Sequence, residues 1–259
     1  MQQDKLVRQE IIDGGAIVYY IESEARQRGD GPRERAAKSR ASSEAQRARN
    51  RILSTRKLEL ILAKNFPRAG SGLVIVLTYD DAHLPGSRKQ AQRKLKHFLD
   101  KLRRARRNAG LPEPRAVYCT EALSSSTGRW HHHLVLDNTG RDLPMVRACW
   151  GYGSEIACER MRVDREKNHE SLARYMNKEL REAQEYECRP GLHGWGCTRS
   201  CLRPEVDVRT VPARDRIRPP RGARVLMRES RERTVGSWSV TKVAMPPRCF
   251  PRPPRARRC

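Results

Sequence analysis

Residues able to build a hydrophobic core gather between positions 71 and 208, and both flanks are too polar and too basic to promise a second core. Of 259 residues only 37% are hydrophobic and 5% aromatic, against 54 Lys and Arg and 30 Asp and Glu, a formal net charge of +24. That composition predicts one core of about 130–150 residues. The charge is uneven: residues 1–70 carry +6, residues 71–208 carry +6, and residues 209–259 carry +12. The last segment also holds 8 of the 16 prolines, so it is expected to be a basic, Pro- and Arg-rich tail that is largely disordered. Within it, residues 223–227 and 237–243 flank Gly236 and are apolar enough to pair as a small hairpin. Residues 1–70 read as a basic, flexible extension with a short strand at 16–21, a Gly- and Arg-rich stretch at 26–40 and a basic helix at 43–64. Phe66-Pro67 ends that helix.

A charge balance this positive predicts a polyanionic partner, since each phosphate met by Lys or Arg releases a condensed counterion. The first 25 residues hold no apolar run of the length a secretion signal needs, and no aliphatic run approaches a membrane span, which predicts a soluble, intracellular chain with no membrane partner. The eight cysteines are then expected to stay reduced. Cys188, His193, Cys197 and Cys201 lie close enough in sequence to suggest zinc, but no Cys-x-x-Cys pair is present, and small buried hydrophobes are the competing reading.

Residues 71–208 predict an α+β domain. Residues 73–79 are β-branched and aliphatic between Gly70-Ser71-Gly72 and Asp80-Asp81, the pattern of a strand. Residues 88–107 place Leu95, Phe98, Leu99 and Leu102 on one helical face, with ten Lys and Arg and the single Asp100 on the others. Strands follow at 115–121 and 130–137, then a short helix at 143–150, a strand at 159–164 and a helix at 169–183. The order β-α-β-β-α-β-α predicts a central antiparallel sheet of split βαβ type with flanking helices. Without its basic helix this segment holds 14 basic and 17 acidic residues, so the charge is focused on that helix and the flanks, as a nucleic-acid-binding surface requires.

Two elements carry chemistry. In Arg129-Trp130-His131-His132-His133-Leu134-Val135-Leu136, alternation puts Trp130, His132, Leu134 and Leu136 on the apolar face and His131, His133, Val135 and Asp137 on the other. Two imidazoles about 7 Å apart along one strand face can converge on one cation. A polar strand face near phosphate accounts for the pair equally well. Glu121 ends the preceding strand and reaches the same cation if the two strands form a hairpin; otherwise it is an exposed strand-end carboxylate. The second element is Ser171-Leu172-Ala173-Arg174-Tyr175-Met176-Asn177-Lys178, where Leu172, Met176, Leu180 and Ala183 form the apolar stripe and Tyr175 and Lys178 lie at its edge. That pair suits a nucleophile and a phosphate-neutralising ammonium, or simply a core-edge tyrosine beside a solvated lysine.

The combination resembles the HUH endonuclease superfamily, in particular the rolling-circle replication initiators of phages and plasmids. Residues 73–79, ending Leu77-Thr78-Tyr79, are similar to its first strand. Glu121 followed by Gly128-Arg129-Trp130-His131-His132-His133 is similar to its Glu and Gly-Arg-x-His-hydrophobe-His block, and Tyr175-Met176-Asn177-Lys178 to its Tyr-x-x-Lys motif. A looser likeness runs from Trp195 to Pro204. His132 departs from the pattern by standing where a hydrophobic residue is usual, and Tyr186 has Arg189 rather than Lys three residues on.

The resemblance implies nicking of single-stranded origin DNA by a single tyrosine. Tyr175 would be the nucleophile and Lys178 its helper, and His131, His133 and Glu121 would hold Mg²⁺ or Mn²⁺. It also implies a 5′-phosphotyrosine link, a free 3′-OH, a host helicase and polymerase as partners, and the cytoplasm of a bacterial host. Arg93, Lys94, Lys101, Arg103, Arg104 and Arg107 of the basic helix, with Arg129, are the expected DNA contacts. The competing readings are a relaxase or transposase of the same superfamily and a non-catalytic basic nucleic-acid-binding module. The tyrosine lies downstream of the histidine strand, the order of initiators rather than of most relaxases.

Overall fold

A computed structural model describes residues 4–12, 17–24, 44–122, 128–163, 169–177, 194–212, 218–219, 221–231 and 238–245. The chain divides into two units, one made of residues 37–164 and 168–202 and the other of both chain ends. The expected boundaries at 70/71 and 208/209 therefore differ from the contacts. The expected flexible stretch at 26–40, the 123–127 loop and residues 246–259 lie outside the described residues.

The unit of the chain ends is a five-stranded antiparallel sheet of β1 (Asp4–Ile12), β2 (Ile17–Glu24), β8 (Glu205–Pro212), β9 (Arg224–Arg231) and β10 (Trp238–Ala244), in the order β8-β1-β2-β10-β9. The tail is thus not largely without structure up to residue 244. The β9–β10 pairing is the hairpin expected there, and β2 covers the short strand read at 16–21. β1 and β8 were not legible because neither alternates cleanly; each is held by a partner distant in sequence, Ile11 lying opposite Glu205. Val18, Tyr20 and Val243 form this unit's buried cluster.

The second unit is α+β, with α1 (Glu44–Asn65), β3 (Gly72–Leu77), α2 (Arg88–Asn108), β4 (Ala116–Glu121), β5 (His131–Asp137), α3 (Asp142–Cys149), β6 (Ile156–Arg160), α4 (Glu170–Met176) and β7 (Trp195–Cys197). Its sheet order is β6-β3-β5-β4-β7, all neighbours antiparallel. β3 and β4 both run against β5, so they are parallel to each other, joined by α2 with β5 inserted between them. That is the split βαβ arrangement expected. β6 falls three residues earlier than expected because it pairs with β3 from Ile156 opposite Leu77 to Arg160 opposite Leu73.

The pleat sorts the core into two layers. Leu73, Ile75 and Leu77 of β3, Ala116 of β4 and Leu134 and Leu136 of β5 pack with Leu95, Phe98 and Leu102 of α2 and with Val146 of α3. On the other face, Val117, Cys119 and Val135 pack with Leu58, Ile61 and Leu62 of α1, with Phe66, and with Ala173 and Met176 of α4. The helix assigned to the N-terminal extension is therefore a structural layer of this unit, because Leu58, Ile61 and Leu62 fall at i, i+3, i+4. Asn65 ties it to the last segment of the unit, accepting from the Leu202 amide at 2.8 Å and donating to the Leu202 carbonyl at 3.0 Å.

Not all ten basic residues of α2 are at the surface. Arg106 is fully buried and donates to Asp137 Oδ1 at 2.7 Å, to the Asp137 carbonyl at 2.7 Å and to Asp142 Oδ1 at 2.6 Å. It fastens the end of α2 to the end of β5 and the start of α3. Among the described residues, no helix is long and apolar enough to cross a membrane.

Candidate metal and tyrosine site

The hairpin condition on Glu121 is met. β4 and β5 pair with Glu121 opposite His131 and Cys119 opposite His133, so all four side chains share the face that α1 and α4 cover. One ligand atom from each of Glu121, His131 and His133 lies within 4.8 Å of the others, and no other group of three His, Cys, Asp or Glu does so among the described residues. Glu121 Oε2 stands 3.6 Å from His131 Nε2 and 3.4 Å from His133 Nε2. The two imidazoles meet edge to face, with ring centroids 5.0 Å apart.

The donor set suits a divalent cation. His131 Nδ1 lies 3.1 Å from the Arg129 carbonyl, which can only accept, so Nδ1 carries the proton and Nε2 presents its lone pair toward Glu121. Gly128 adopts φ 65° just before, a left-handed turn that leads the chain into β5. The second carboxylate oxygen, Oε1, accepts from the Cys119 thiol at 3.7 Å, which leaves Oε2 for the histidines. Cys119 was not picked out from the sequence, although its position two residues before Glu121 on a strand puts it on the same face.

His132 points the other way, as the alternation requires. It is fully buried, with Nε2 2.7 Å from the Tyr79 hydroxyl and Nδ1 3.0 Å from Thr120 Oγ1. Burial first, then the charges of His131, His133 and Arg88, lowers its pKa to about 3, so this ring is neutral and structural.

Tyr175 reaches the cluster from α4. Ala173 and Met176 anchor the helix in the core while Tyr175 is 48% exposed, and its hydroxyl lies 3.5 Å from both His133 ring nitrogens. The rings meet edge to face at 5.0 Å. Burial, the Glu121 carboxylate and Cys119 push the phenol above its ordinary value, so it rests protonated. Ala173 replaces the expected Leu172 as the most buried residue of the first turns, because α4 packs on α1, where Asn177 donates to Thr55 Oγ1 at 2.8 Å. Lys178, Tyr186, Cys188 and His193 lie outside the described residues. Cys197 and Cys201 are thiols rather than a disulfide.

The expected DNA-contact residues are not gathered at this cluster. Arg93, Lys94, Lys101, Arg103, Arg104 and Arg107 all lie on α2, which packs on the opposite face of the sheet. Several have protein partners: Lys94 donates to the His83 carbonyl at 2.7 Å, Arg104 to the Asp100 carbonyl at 3.3 Å, and Arg103 and Arg107 pair with Asp100 and Glu113. Arg129 donates to Asp81 at 2.5 Å and to the Tyr79 carbonyl at 2.9 Å, fixing the chain just before the histidines.

Residues 72–180 match the family model described as replication-associated protein ORF2. The matched segment runs from the first residue of β3 to beyond Tyr175 and so includes the whole cluster. Comparison with curated proteins and with solved structures gives no match.

Proposed function

We propose that this chain initiates rolling-circle replication, nicking single-stranded origin DNA by a cation-assisted tyrosine transesterification of the HUH endonuclease type. The observation that carries the reading is the Tyr175 hydroxyl 3.5 Å from His133, at the edge of the Glu121–His131–His133 cluster. The similarity of residues 72–180 to a replication-associated family supports a role in replication initiation.

Glu121, His131 and His133 would hold the cation, Mg²⁺ or Mn²⁺, with two imidazoles favouring Mn²⁺ on ligand softness. When bound, the cation supplies Lewis-acid polarisation of the scissile phosphate. Tyr175 attacks phosphorus through its phenolic oxygen. The bond from Tyr175 to the 5′ phosphate forms as the bond to the 3′ oxygen breaks; the phenol loses its proton and the leaving oxygen takes one up, giving a free 3′-OH. Half-exposure of Tyr175 admits a strand, and its anchoring by Ala173 and Met176 limits the motion needed for attack. Lys178, three residues on, is assigned the phosphate charge. The phosphotyrosine bond conserves the phosphodiester energy, so the strand can be rejoined after a host helicase and polymerase in the bacterial cytoplasm have extended the 3′ end. The exposed basic residues of α2 are assigned the flanking backbone rather than the scissile phosphate.

The test is incubation of a labelled single-stranded oligonucleotide library with the full chain in Mn²⁺, Mg²⁺ or EDTA. Cleavage at a defined sequence in either cation, absent in EDTA, supports the reading. Salt-sensitive binding without cleavage in any condition would establish the binding-module alternative instead.

A further inference from the structure

A recess on the opposite face of the β4–β5 pair carries chemistry that the cluster does not use. It lies between the first half of α2 and the β4–β7 edge, encloses about 380 Å³, and is walled by Leu95, Leu99, Tyr118 and Gly196, with exposed Gln92 and Lys96 also lining it. Tyr118 is its aromatic surface. β4 and β7 pair with Tyr118 opposite Gly196, and a Cβ at 196 would fall 2.7 Å from Tyr118 Cε2 and 2.8 Å from its Cζ. Only glycine there lets the ring lie over the β7 backbone.

Thr120, next along the same face of β4, also lines the recess and bonds His132 at 3.0 Å. Tyr118 and Thr120 therefore alternate with Cys119 and Glu121, and one strand serves the recess on one face and the cation cluster on the other. Arg88 lines the recess as well, and its charge is felt at His132.

A half-buried aromatic ring, aliphatic walls and two cations match a ligand with a flat apolar body and an anionic group. We propose that the recess takes one unpaired nucleotide of the DNA strand, its base against Tyr118 and its phosphate at Lys96 and Arg88. The two faces of β4 would then hold two points of one strand, which explains why cations stand on the side of the sheet away from the cluster. The assignment rests on the reading of this chain as a single-stranded DNA enzyme.

The experiment uses the full chain in EDTA, where no cleavage occurs, with oligonucleotides of the cleaved sequence carrying 2-aminopurine at each position in turn. One position is expected to lose fluorescence on binding, by stacking on Tyr118. Gly196→Ala, which drives the ring into the recess, is expected to abolish that signal. Lys96→Glu, an exposed change, is expected to weaken binding about tenfold through one lost phosphate contact and one added repulsion. Both variants are expected to keep the wild-type affinity of the cluster for Mn²⁺, measured calorimetrically. Wild-type binding and cleavage with both variants behaving as wild type would overturn the recess alone. Failure of the wild-type chain to bind any single strand would overturn the enzymatic reading with it. Free dAMP binding as tightly as the oligonucleotide would overturn the assignment to a strand.

Discussion

Replacing Arg106 by Leu removes the cation that two carboxylates share in the interior. Arg106 and Asp142 each have fully buried side chains, and that of Asp137 is 20% exposed. The leucine fills much of the volume, so the dominant loss is electrostatic. Asp142 Oδ2 keeps its bonds from the Thr139 amide at 2.6 Å and hydroxyl at 2.8 Å, while Oδ1 loses its charged partner. Breaking one partner of a buried ion pair costs about 3–5 kcal/mol, and this site lies toward the upper end because two carboxylates share the arginine.

Burial raises the Asp137 pKa and Arg106 opposes that rise, so the variant should hold both carboxyls closer to neutrality. A carboxyl whose folded pKa exceeds its unfolded value favours the folded state at low pH and loses that benefit as pH rises. The deficit of the variant should therefore be largest near pH 7 and shrink toward pH 4. Urea denaturation at both values measures it, and Arg106→Leu/Asp142→Asn should recover part of the loss. A deficit under about 1 kcal/mol at pH 7, or one independent of pH, would refute the argument.

Three further outcomes are expected. His132, held near pKa 3 against about 6.5 when unfolded, contributes stability that is present above pH 6.5 and lost as pH falls below it, by up to about 1.4 kcal/mol per pH unit; urea titrations in EDTA should show this slope in wild type and a flatter one in His132→Gln. Glu121→Gln keeps the side-chain shape but removes the charge facing both histidines, and should weaken Mn²⁺ binding at least about tenfold by calorimetry, with unchanged affinity excluding Glu121 as a ligand. Cys119→Val removes the donor to Glu121 Oε1 and should weaken Mn²⁺ binding by a smaller factor, which Cys119→Ser restores.

The split βαβ order is legible because each of its elements announces itself locally: the aliphatic run of β3 between glycines and aspartates, the 3.6 period of α2, the alternation of β5. The same alternation separates His132 from His131 and His133, since period 2 needs no tertiary information. Arg106 illustrates the opposite case. Nothing in a run of basic residues marks the one turned inward; only Asp137 and Asp142, more than thirty residues away, decide it. The sheet of the chain ends was hidden for the same reason. Its β1 and β8 pair across nearly the whole sequence, and such pairing leaves no local period to read. Tyr175 was recognisable through its motif, but its distance to His133 depends on how α4 packs on α1, through Asn177 and Thr55.

The most direct test of the account is to trap the reaction in Mn²⁺ with a single-stranded origin oligonucleotide, digest with trypsin, and locate the nucleotide adduct by mass spectrometry. The account predicts a 5′-phosphoryl nucleotide on the peptide of residues 175–178, at Tyr175, and none in Tyr175→Phe or in EDTA. An adduct on another residue, or cleavage that persists in Tyr175→Phe, would contradict it.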